Sequence, residues 1–331
     1  MIEFKSKNSI LLTGAGFTKN FGGFLGSEMW AQIFNDIEIQ NNNNLRGLLQ
    51  EDYDFESVYS TVMTGKFSEE DKNVMKRVVE RAYKNLDDAT KDWVFNTDSP
   101  HPVNWYGWNK LTNLFAGEGD TKGLFFTLNQ DIFIERKNGH RSPGAPFFAQ
   151  ELYNGHCRDF TPDKFVTLPR EDAVIKAEQA FKDHAGLTYI KLHGSYGWRS
   201  SDGSNQMVIG KNKSELIEKE PLLKWYSELF QQVIKEGGKK ILIVGYGFGD
   251  QHINQVLVDG VNNHDLKIYI ISTKPPSELK NLFDRGGHYY ARDILKGLRG
   301  YFPYQLKEIF PGNQDETVHF NKIREALQRA D

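Results

Sequence analysis

The chain has 331 residues, a length that fits one large α/β domain carrying an insertion better than three separate domains. Hydrophobic residues make up 39% and aromatic residues 13% of it, so a sizeable core is available. The 41 basic and 44 acidic residues give a net charge of −3, which excludes a broad positive surface field. We therefore expect no direct nucleic-acid partner.

The single cysteine, Cys157, excludes disulfides within the chain and a four-cysteine zinc site, and we expect no bound metal. No stretch approaches the roughly 18 continuous apolar residues of a membrane span, and the N-terminus lacks the apolar run of a secretory signal. A cytoplasmic location without a membrane partner is therefore expected.

The first predicted strand, Ser9–Thr13, runs directly into a segment that contains two glycines, Gly14–Thr18. Apolar residues over 45–117 recur at three- and four-residue steps, and no convincing strand interrupts them. We predict a fold of the α/β class, a Rossmann-like, doubly wound parallel sheet formed by 1–44 and 118–331. Residues 45–117 are interpreted as a helical insertion domain.

Later predicted strands also end in small or polar residues. They cover 123–127, 188–192, 240–244 and 266–271, and the clusters that follow them are Asn129 with Asp131, His193, Gly245–Asp250 and Ser272. In a doubly wound sheet the carboxyl ends of the strands surround the ligand crevice. We therefore expect these clusters to meet at one binding site.

Glycine at positions 14 and 16 would let the backbone approach a pyrophosphate at the start of a helix. The segment is not a complete dinucleotide fingerprint, because Lys19 occupies the place of the third glycine, and a simple tight turn explains it equally well. Asp36 and Glu38 lie where a dehydrogenase places its ribose-binding acid, but within a helical pattern, so that interpretation is disfavoured.

Asn129 and Asp131 would point the same way if the chain is extended there, although a capped loop is the plainer interpretation. His193 follows a strand and precedes a glycine, so its near-neutral pKa would suit a general base, or it could simply hydrogen-bond the turn. The other histidines lack comparable context. Asp250 could accept a ribose hydroxyl or, with slight preference, cap the helix that begins near His252. Two glycine-rich strand exits on one sheet suggest the two ends of an extended ligand.

In this order, Gly14-Ala-Gly16, Thr127-Leu-Asn-Gln-Asp131, Lys191-Leu-His-Gly194 and Val244-Gly-Tyr-Gly-Phe-Gly-Asp250 resemble the sirtuin-like family over about residues 8–275. The last segment looks closer to the bacterial sirtuin-like NAD hydrolases of antiphage defence systems. The resemblance implies a domain that binds NAD and cleaves its nicotinamide–ribose bond.

The resemblance also implies roles for individual residues. Gly14, Ala15 and Gly16 would hold the pyrophosphate, Asn129 the nicotinamide-side ribose or the attacking water, Asp131 the carboxamide, and His193 would be the base. Further candidates for binding the dinucleotide are Phe17, Thr18, Thr127, Gly245, Gly247, Asp250 and Ser272.

Two features typical of sirtuin deacylases are missing. One cysteine cannot build a zinc ribbon with two Cys-x-x-Cys pairs, and 24–30 lacks the arginine that follows the glycine loop in many deacylases. An NAD glycohydrolase that releases nicotinamide and ADP-ribose is therefore favoured over a deacylase or ADP-ribosyl transferase. A non-catalytic sensor of NAD or ADP-ribose is the alternative. Related systems imply a partner such as a HerA-type ATPase or an Argonaute, and we expect a homo-oligomer.

Overall fold

A computed structural model describes residues 4–94, 98–138, 165–181, 186–200, 203–284, 289–312, 314 and 316–329. Cys157 lies outside these residues. The strands are β1 Lys5–Ser6, β2 Ser9–Thr13, β3 Thr121–Thr127, β4 Val166–Thr167, β5 Gly186–Lys191, β6 Gly194–Arg199, β7 Asn205–Met207, β8 Lys240–Val244, β9 Lys267–Ile271 and β10 Leu298–Phe302.

The helices of the N-terminal half are α1 Ala15–Lys19, α2 Gly26–Phe34, α3 Ile37–Gln40, α4 Asn43–Glu51, α5 Phe55–Thr64, α6 Glu69–Lys91, α7 Trp105–Asn113 and α8 Phe133–Asn138. Those of the C-terminal half are α9 Glu171–Phe181, α10 Lys213–Lys219, α11 Pro221–Lys235, α12 Gln251–Asn263, α13 Leu279–Phe283, α14 Ala291–Gly297, α15 Leu306–Ile309 and α16 Val318–Gln328. Among the residues described, every helix is too short or too polar to cross a membrane.

The central sheet is parallel throughout the described pairings. From one edge to the other its strands run β5, β3, β2, β8, β9, β10, and β1 pairs with the first residues of β3. The chain starts at central β2, adds β3 and β5 on one side, and later adds β8, β9 and β10 on the other. This order reverses at β2, so the ligand crevice of such a sheet is expected beside the carboxyl end of that strand. The predicted α/β fold class is confirmed.

The strands are almost continuously apolar because helices cover both faces of the sheet. Ile10 and Leu12 of β2 belong to one buried cluster, together with side chains of α9, α11 and α12. Leu11, between them, belongs to the cluster on the opposite face, which includes side chains of α7 and α16. The alternation follows from the two-residue period of a strand.

A third hydrophobic cluster lies among the helices that precede β3. It includes Met29 and Ile33 of α2 and the buried side of the long helix α6, and it also contacts Ile132 and Tyr196 of the sheet domain. Trp108 of α7, in contrast, packs against the central sheet. The helices that precede β3 thus pack partly among themselves and partly on the sheet, and the domain limits at 45 and 117 remain a prediction.

The structure differs from the local sequence pattern in two places. The polar run 41–44 predicts a loop, but α4 begins at Asn43 because the side chain of Asn42 accepts a hydrogen bond from the Leu45 N–H and caps it. Strand β10 is not predicted, since an arginine and a glycine interrupt its apolar pattern at the sheet edge. The pattern of 199–213 predicts a loop or a hairpin, and a hairpin forms in part, as β6 pairs with β7.

Candidate active site

The carboxyl ends of β2, β3, β8 and β9, with the turn after β5, surround a cavity of about 580 Å³. This volume falls within the range of small-molecule sites. Most of the predicted site residues line it, namely Gly14, Ala15, Gly16, Asn129, Asp131, His193, Gly245, Gly247, Asp250 and Ser272. Residues distant in the chain therefore meet where the topology of the sheet predicts a ligand.

The two glycine-containing loops touch each other. The N–H of Gly16 donates to the carbonyl of Gly245 at 2.9 Å, and a Cβ on Gly14 would lie 2.8 Å from the Tyr246 Cα. Gly245 itself has a φ of 67°, a conformation that favours glycine. The two loops together therefore form one wall of the cavity, and the expectation that they hold the two ends of an extended ligand stays a prediction.

This contact also limits how the first loop can bind a phosphate. The N–H of Gly16 is already used by Gly245, and that of Phe17 donates to the Gly14 carbonyl at 2.8 Å. The N–H of Ala15 has no hydrogen-bond partner in the described part of the chain, and Ala15 lines the cavity. Ala15 is thus the backbone donor that this loop leaves for an anionic ligand.

Asn129 and Asp131 are held together by a hydroxyl group from α1. The Thr18 Oγ1 accepts from Asn129 Nδ2 and donates to Asp131 Oδ2, both at 2.8 Å. The second carboxylate oxygen of Asp131 accepts from the Phe133 N–H at 3.1 Å. Within the described residues no group donates to the side-chain oxygen of Asn129. Because Asn129 lines the cavity, this oxygen can bind a ligand.

Thr18 and two other predicted binding residues do not line the cavity. Thr18 lies behind the residues that line the cavity, and its hydroxyl orients Asn129 and Asp131. The Thr127 hydroxyl accepts from Thr13 at 2.8 Å and from the N–H of Asn129 at 3.1 Å, so it shapes the turn. Phe17 is fully buried against the aromatic rings of Phe21 and Trp108.

Asp131 is a buried carboxyl group whose nearby cation is engaged elsewhere. Burial raises its pKa, and Lys191 offsets this only in part. The Lys191 ammonium bonds the backbone carbonyl of Asp131 and lies 2.8 Å from Glu135 Oε1, so its closest carboxylate is that of Glu135. Asp131 is therefore held chiefly by hydrogen bonds.

His193 contacts a second histidine that the sequence did not single out. Its Nε2 lies 2.9 Å from the Nε2 of His252 in the first turn of α12. Burial lowers the pKa of both imidazoles, that of His252 to about 4, although Asp250 acts in the opposite direction on each. The near-neutral pKa expected for His193 is therefore wrong. At pH 7 the two rings form a neutral pair in which one nitrogen donates and the other accepts.

Asp250 is paired with a lysine. Lys213 Nζ lies 2.6 Å from Asp250 Oδ1 and 2.7 Å from Glu56 Oε2 of α5. Burial by itself would raise the pKa of Asp250, but Lys213, with smaller contributions from the two histidines, lowers it below its ordinary value. Asp250 is thus ionised beside the histidine pair.

The preferred role of Asp250 as a side-chain helix cap is wrong. Asp250 occupies the N-cap position of α12, but its side chain makes no capping hydrogen bond. The carboxylate instead accepts a hydrogen bond from the Lys213 ammonium at 2.6 Å. The N–H of Asp250 donates to the Tyr246 hydroxyl at 3.1 Å.

His193, His252 and Asp250 also place potential ligand atoms within 4.8 Å of one another. The Lys213 ammonium, however, lies on the carboxylate of this group and repels a divalent cation. The charges therefore favour a hydrogen-bonded histidine pair over a metal site.

Sequence patterns missed four residues of this site. Tyr83 of α6 donates to the side chain of Gln130, whose amide donates to the Val208 carbonyl at 2.7 Å. Lys213 and Glu56 each lie at the start of a helix without any surrounding motif. His252, two residues after Asp250, had a usable signal, because the first helical turn after a strand exit faces the crevice.

Comparison with known proteins gives one family. A family model described as a SIR2-like domain matches residues 124–289, half of the chain. No curated protein matches the chain. The match begins in β3 and includes Asn129, Asp131, His193, Asp250 and His252, whereas the first glycine loop lies outside it. The chain therefore belongs to the SIR2-like family, whose members are NAD-dependent enzymes that use NAD as a substrate.

Proposed function

We propose that the protein is an NAD⁺ glycohydrolase that cleaves the nicotinamide–ribose bond and releases nicotinamide and ADP-ribose. The observation that carries this proposal is the meeting of Asn129, Asp131 and His193 at one cavity, beside the carboxyl end of β2. An amide, a carboxyl group and an imidazole are the groups that this reaction needs around the anomeric carbon.

The reaction requires little acid catalysis, because the cationic nicotinamide ring departs as a neutral base. The sugar is expected to pass through a transition state that resembles an oxocarbenium ion, as in glycoside hydrolysis. The carbonyl of Asn129 positions the ribose or the attacking water. Asp131, close to it through Thr18, stabilises the developing positive charge or binds the carboxamide. His193, a neutral imidazole, accepts the proton of the water.

Water is favoured over a protein acceptor. Side chains from the helices that precede β3 line the cavity opposite the sheet, among them Phe55, Tyr83 and Leu86. We infer that these side chains occupy the side on which a deacylase would need a groove for a peptide. They therefore support hydrolysis over transfer to a protein.

The biological role that we propose is NAD depletion during antiphage defence by abortive infection. It rests on the resemblance of Gly245–Asp250 to the corresponding segment of bacterial sirtuin-like NAD hydrolases. An enzyme of this kind must be silent in a resting cell. We propose that homo-oligomerisation, or a partner such as a HerA-type ATPase or an Argonaute, controls it.

Incubation of the purified protein with NAD⁺, followed by chromatography, tests the reaction. We expect free nicotinamide and ADP-ribose. If assembly activates the enzyme, the turnover rate per enzyme molecule should rise with protein concentration. His193→Ala and Asn129→Ala should each lower turnover by about 10²–10⁴-fold. His264→Ala, at the other end of α12, is the matched control and should keep the wild-type rate.

Other outcomes would contradict the proposal in different ways. If NAD⁺ binds but stays intact at every protein concentration, and also after addition of the partner, the protein is a sensor. If both site variants keep wild-type turnover, the reaction occurs elsewhere in the molecule. A cyclic product would show that the nicotinamide bond is cleaved, but that a group of the ADP-ribose itself is the acceptor in place of water.

A further inference from the structure

A second cavity of about 320 Å³ lies between α10, α11 and α12. Its apolar lining includes Leu192 and Phe230, and its polar lining includes Glu218, Asp259 and His252. His193 lines the main cavity, and its Nε2 lies 2.9 Å from that of His252. The two imidazoles therefore connect the main cavity with the second one.

The reaction proposed above releases a proton that has to leave the site. The C1′–N bond breaks with its electron pair on the nicotinamide nitrogen, and a water oxygen bonds to C1′. The cationic dinucleotide and one water thus give neutral nicotinamide, ADP-ribose and one proton. His193 is 2% exposed, so once the dinucleotide fills the main cavity the proton needs another route from this imidazole to bulk water.

We propose that His252 relays this proton, taking it from His193 and passing it to water in the second cavity. The proposal rests on the proposed hydrolysis of NAD⁺. In the resting pair, His193 carries its hydrogen on Nε2 and donates it to His252 Nε2. When the other nitrogen of His193 accepts the proton from water, the Nε2 hydrogen transfers to His252. His252 then loses a proton from its own second nitrogen, and proton exchange with water in the two cavities returns both rings to their starting tautomers before the next turnover.

The charges around the pair suit such a transfer. Asp250 stabilises the positive charge on either ring, whereas burial and Lys213 oppose it, so the proton does not remain on the pair. Glu56 shares Lys213 with Asp250 and moderates its charge. On the side of the second cavity, Glu218, Asp259 and Lys235 line the space into which His252 releases the proton.

His252 could instead act only by orienting His193, and two substitutions separate these roles. Glutamine in His252→Gln can hydrogen-bond His193 but cannot carry a proton. His252→Ala removes both functions and leaves room for added imidazole. For a relay we expect both variants to lower kcat by about 10²-fold with little change in KM. Imidazole should restore part of the activity of the alanine variant and none of that of the glutamine variant.

The measurement is the steady-state rate of nicotinamide release over a range of NAD⁺ concentrations, with His264→Ala as the control that keeps the wild-type rate. Wild-type kcat in His252→Gln would overturn the relay while the proposed hydrolysis stands. Failure of the wild-type protein to release nicotinamide would overturn both proposals. If neither variant folds, the wild-type rate in mixtures of H₂O and D₂O decides, since a curved dependence indicates two protons in transfer and a linear one overturns the relay.

Discussion

Two aspartates line the same cavity, and their environments move their pKa values in opposite directions. Asp131 is held by a hydroxyl and a backbone N–H, and burial raises its pKa. Asp250 has an ammonium 2.6 Å away, and its pKa falls below the ordinary value. In both cases burial is the largest single influence.

In this cavity the position of the lysine decides the charge of a buried carboxyl group. Lys191 lies close to Asp131 but bonds its backbone carbonyl and the carboxylate of Glu135. Lys213 bonds the carboxylate of Asp250 directly. One end of the cavity therefore offers hydrogen-bonding groups to a ligand, and the other provides a fixed negative charge beside the histidine pair.

The largest expected effect on stability comes from Lys213→Met. This change leaves Asp250 and Glu56 facing each other without their shared cation, and removal of one partner of a buried ion pair typically costs about 3–5 kcal/mol. Denaturant unfolding should show the loss. Lys84→Met, which breaks an exposed pair with Asp88 on α6, is the control and should change stability much less. Equal losses of stability in the two variants would contradict the assignment of Lys213 as the shared partner of two buried carboxylates.

Substituting each aspartate with asparagine should give a smaller but unequal effect. Asp250→Asn leaves Lys213 with Glu56 alone, and we expect a loss of about 3 kcal/mol. Asp131→Asn preserves a carbonyl acceptor for the Phe133 N–H, so the expected loss is about 1–2 kcal/mol. Thermal and denaturant unfolding of the two variants measure the difference. A larger loss of stability in Asp131→Asn than in Asp250→Asn would contradict the difference described between the two aspartates.

Acidification should destabilise the protein gradually through the histidine pair. An unfolded histidine binds a proton near pH 6.5, whereas folded His252 binds one only near pH 4. Between these values the unfolded state carries more protons, so the free energy of unfolding falls as the pH falls, by up to about 1.4 kcal/mol per pH unit for each such histidine.

Asp131 acts in the opposite direction, since its raised pKa lets the folded state bind a proton before the unfolded state does. Unfolding free energies measured at pH 7, 6 and 5 test both effects. His252→Gln should show a shallower dependence on pH than the wild type, and Asp131→Asn a steeper one near the acid end. An identical dependence in all three proteins would contradict the assigned pKa directions.

Much of the fold could be predicted from the sequence because its two main signals are local. These are the short apolar runs of the strands and the polar or small residues that follow them. Short apolar runs predicted β2, β3, β5, β8 and β9, since strands covered on both faces bury nearly every residue. Strand β10 was missed because its partly exposed residues lack that pattern. The residues that follow the strands were predicted to share one site, and ten of them line the cavity.

The groups that the strands of the sheet deliver to the crevice follow from the sequence, because strand direction and the two-residue period are local properties. They are the glycines, Asn129, Asp131 and His193. The charge of these groups depends on the tertiary fold. The pairing of Lys213 with Asp250 and Glu56, and of His193 with His252, joins residues 37 to 157 positions apart. Such contacts depend on how helices pack over the sheet, which no local pattern records.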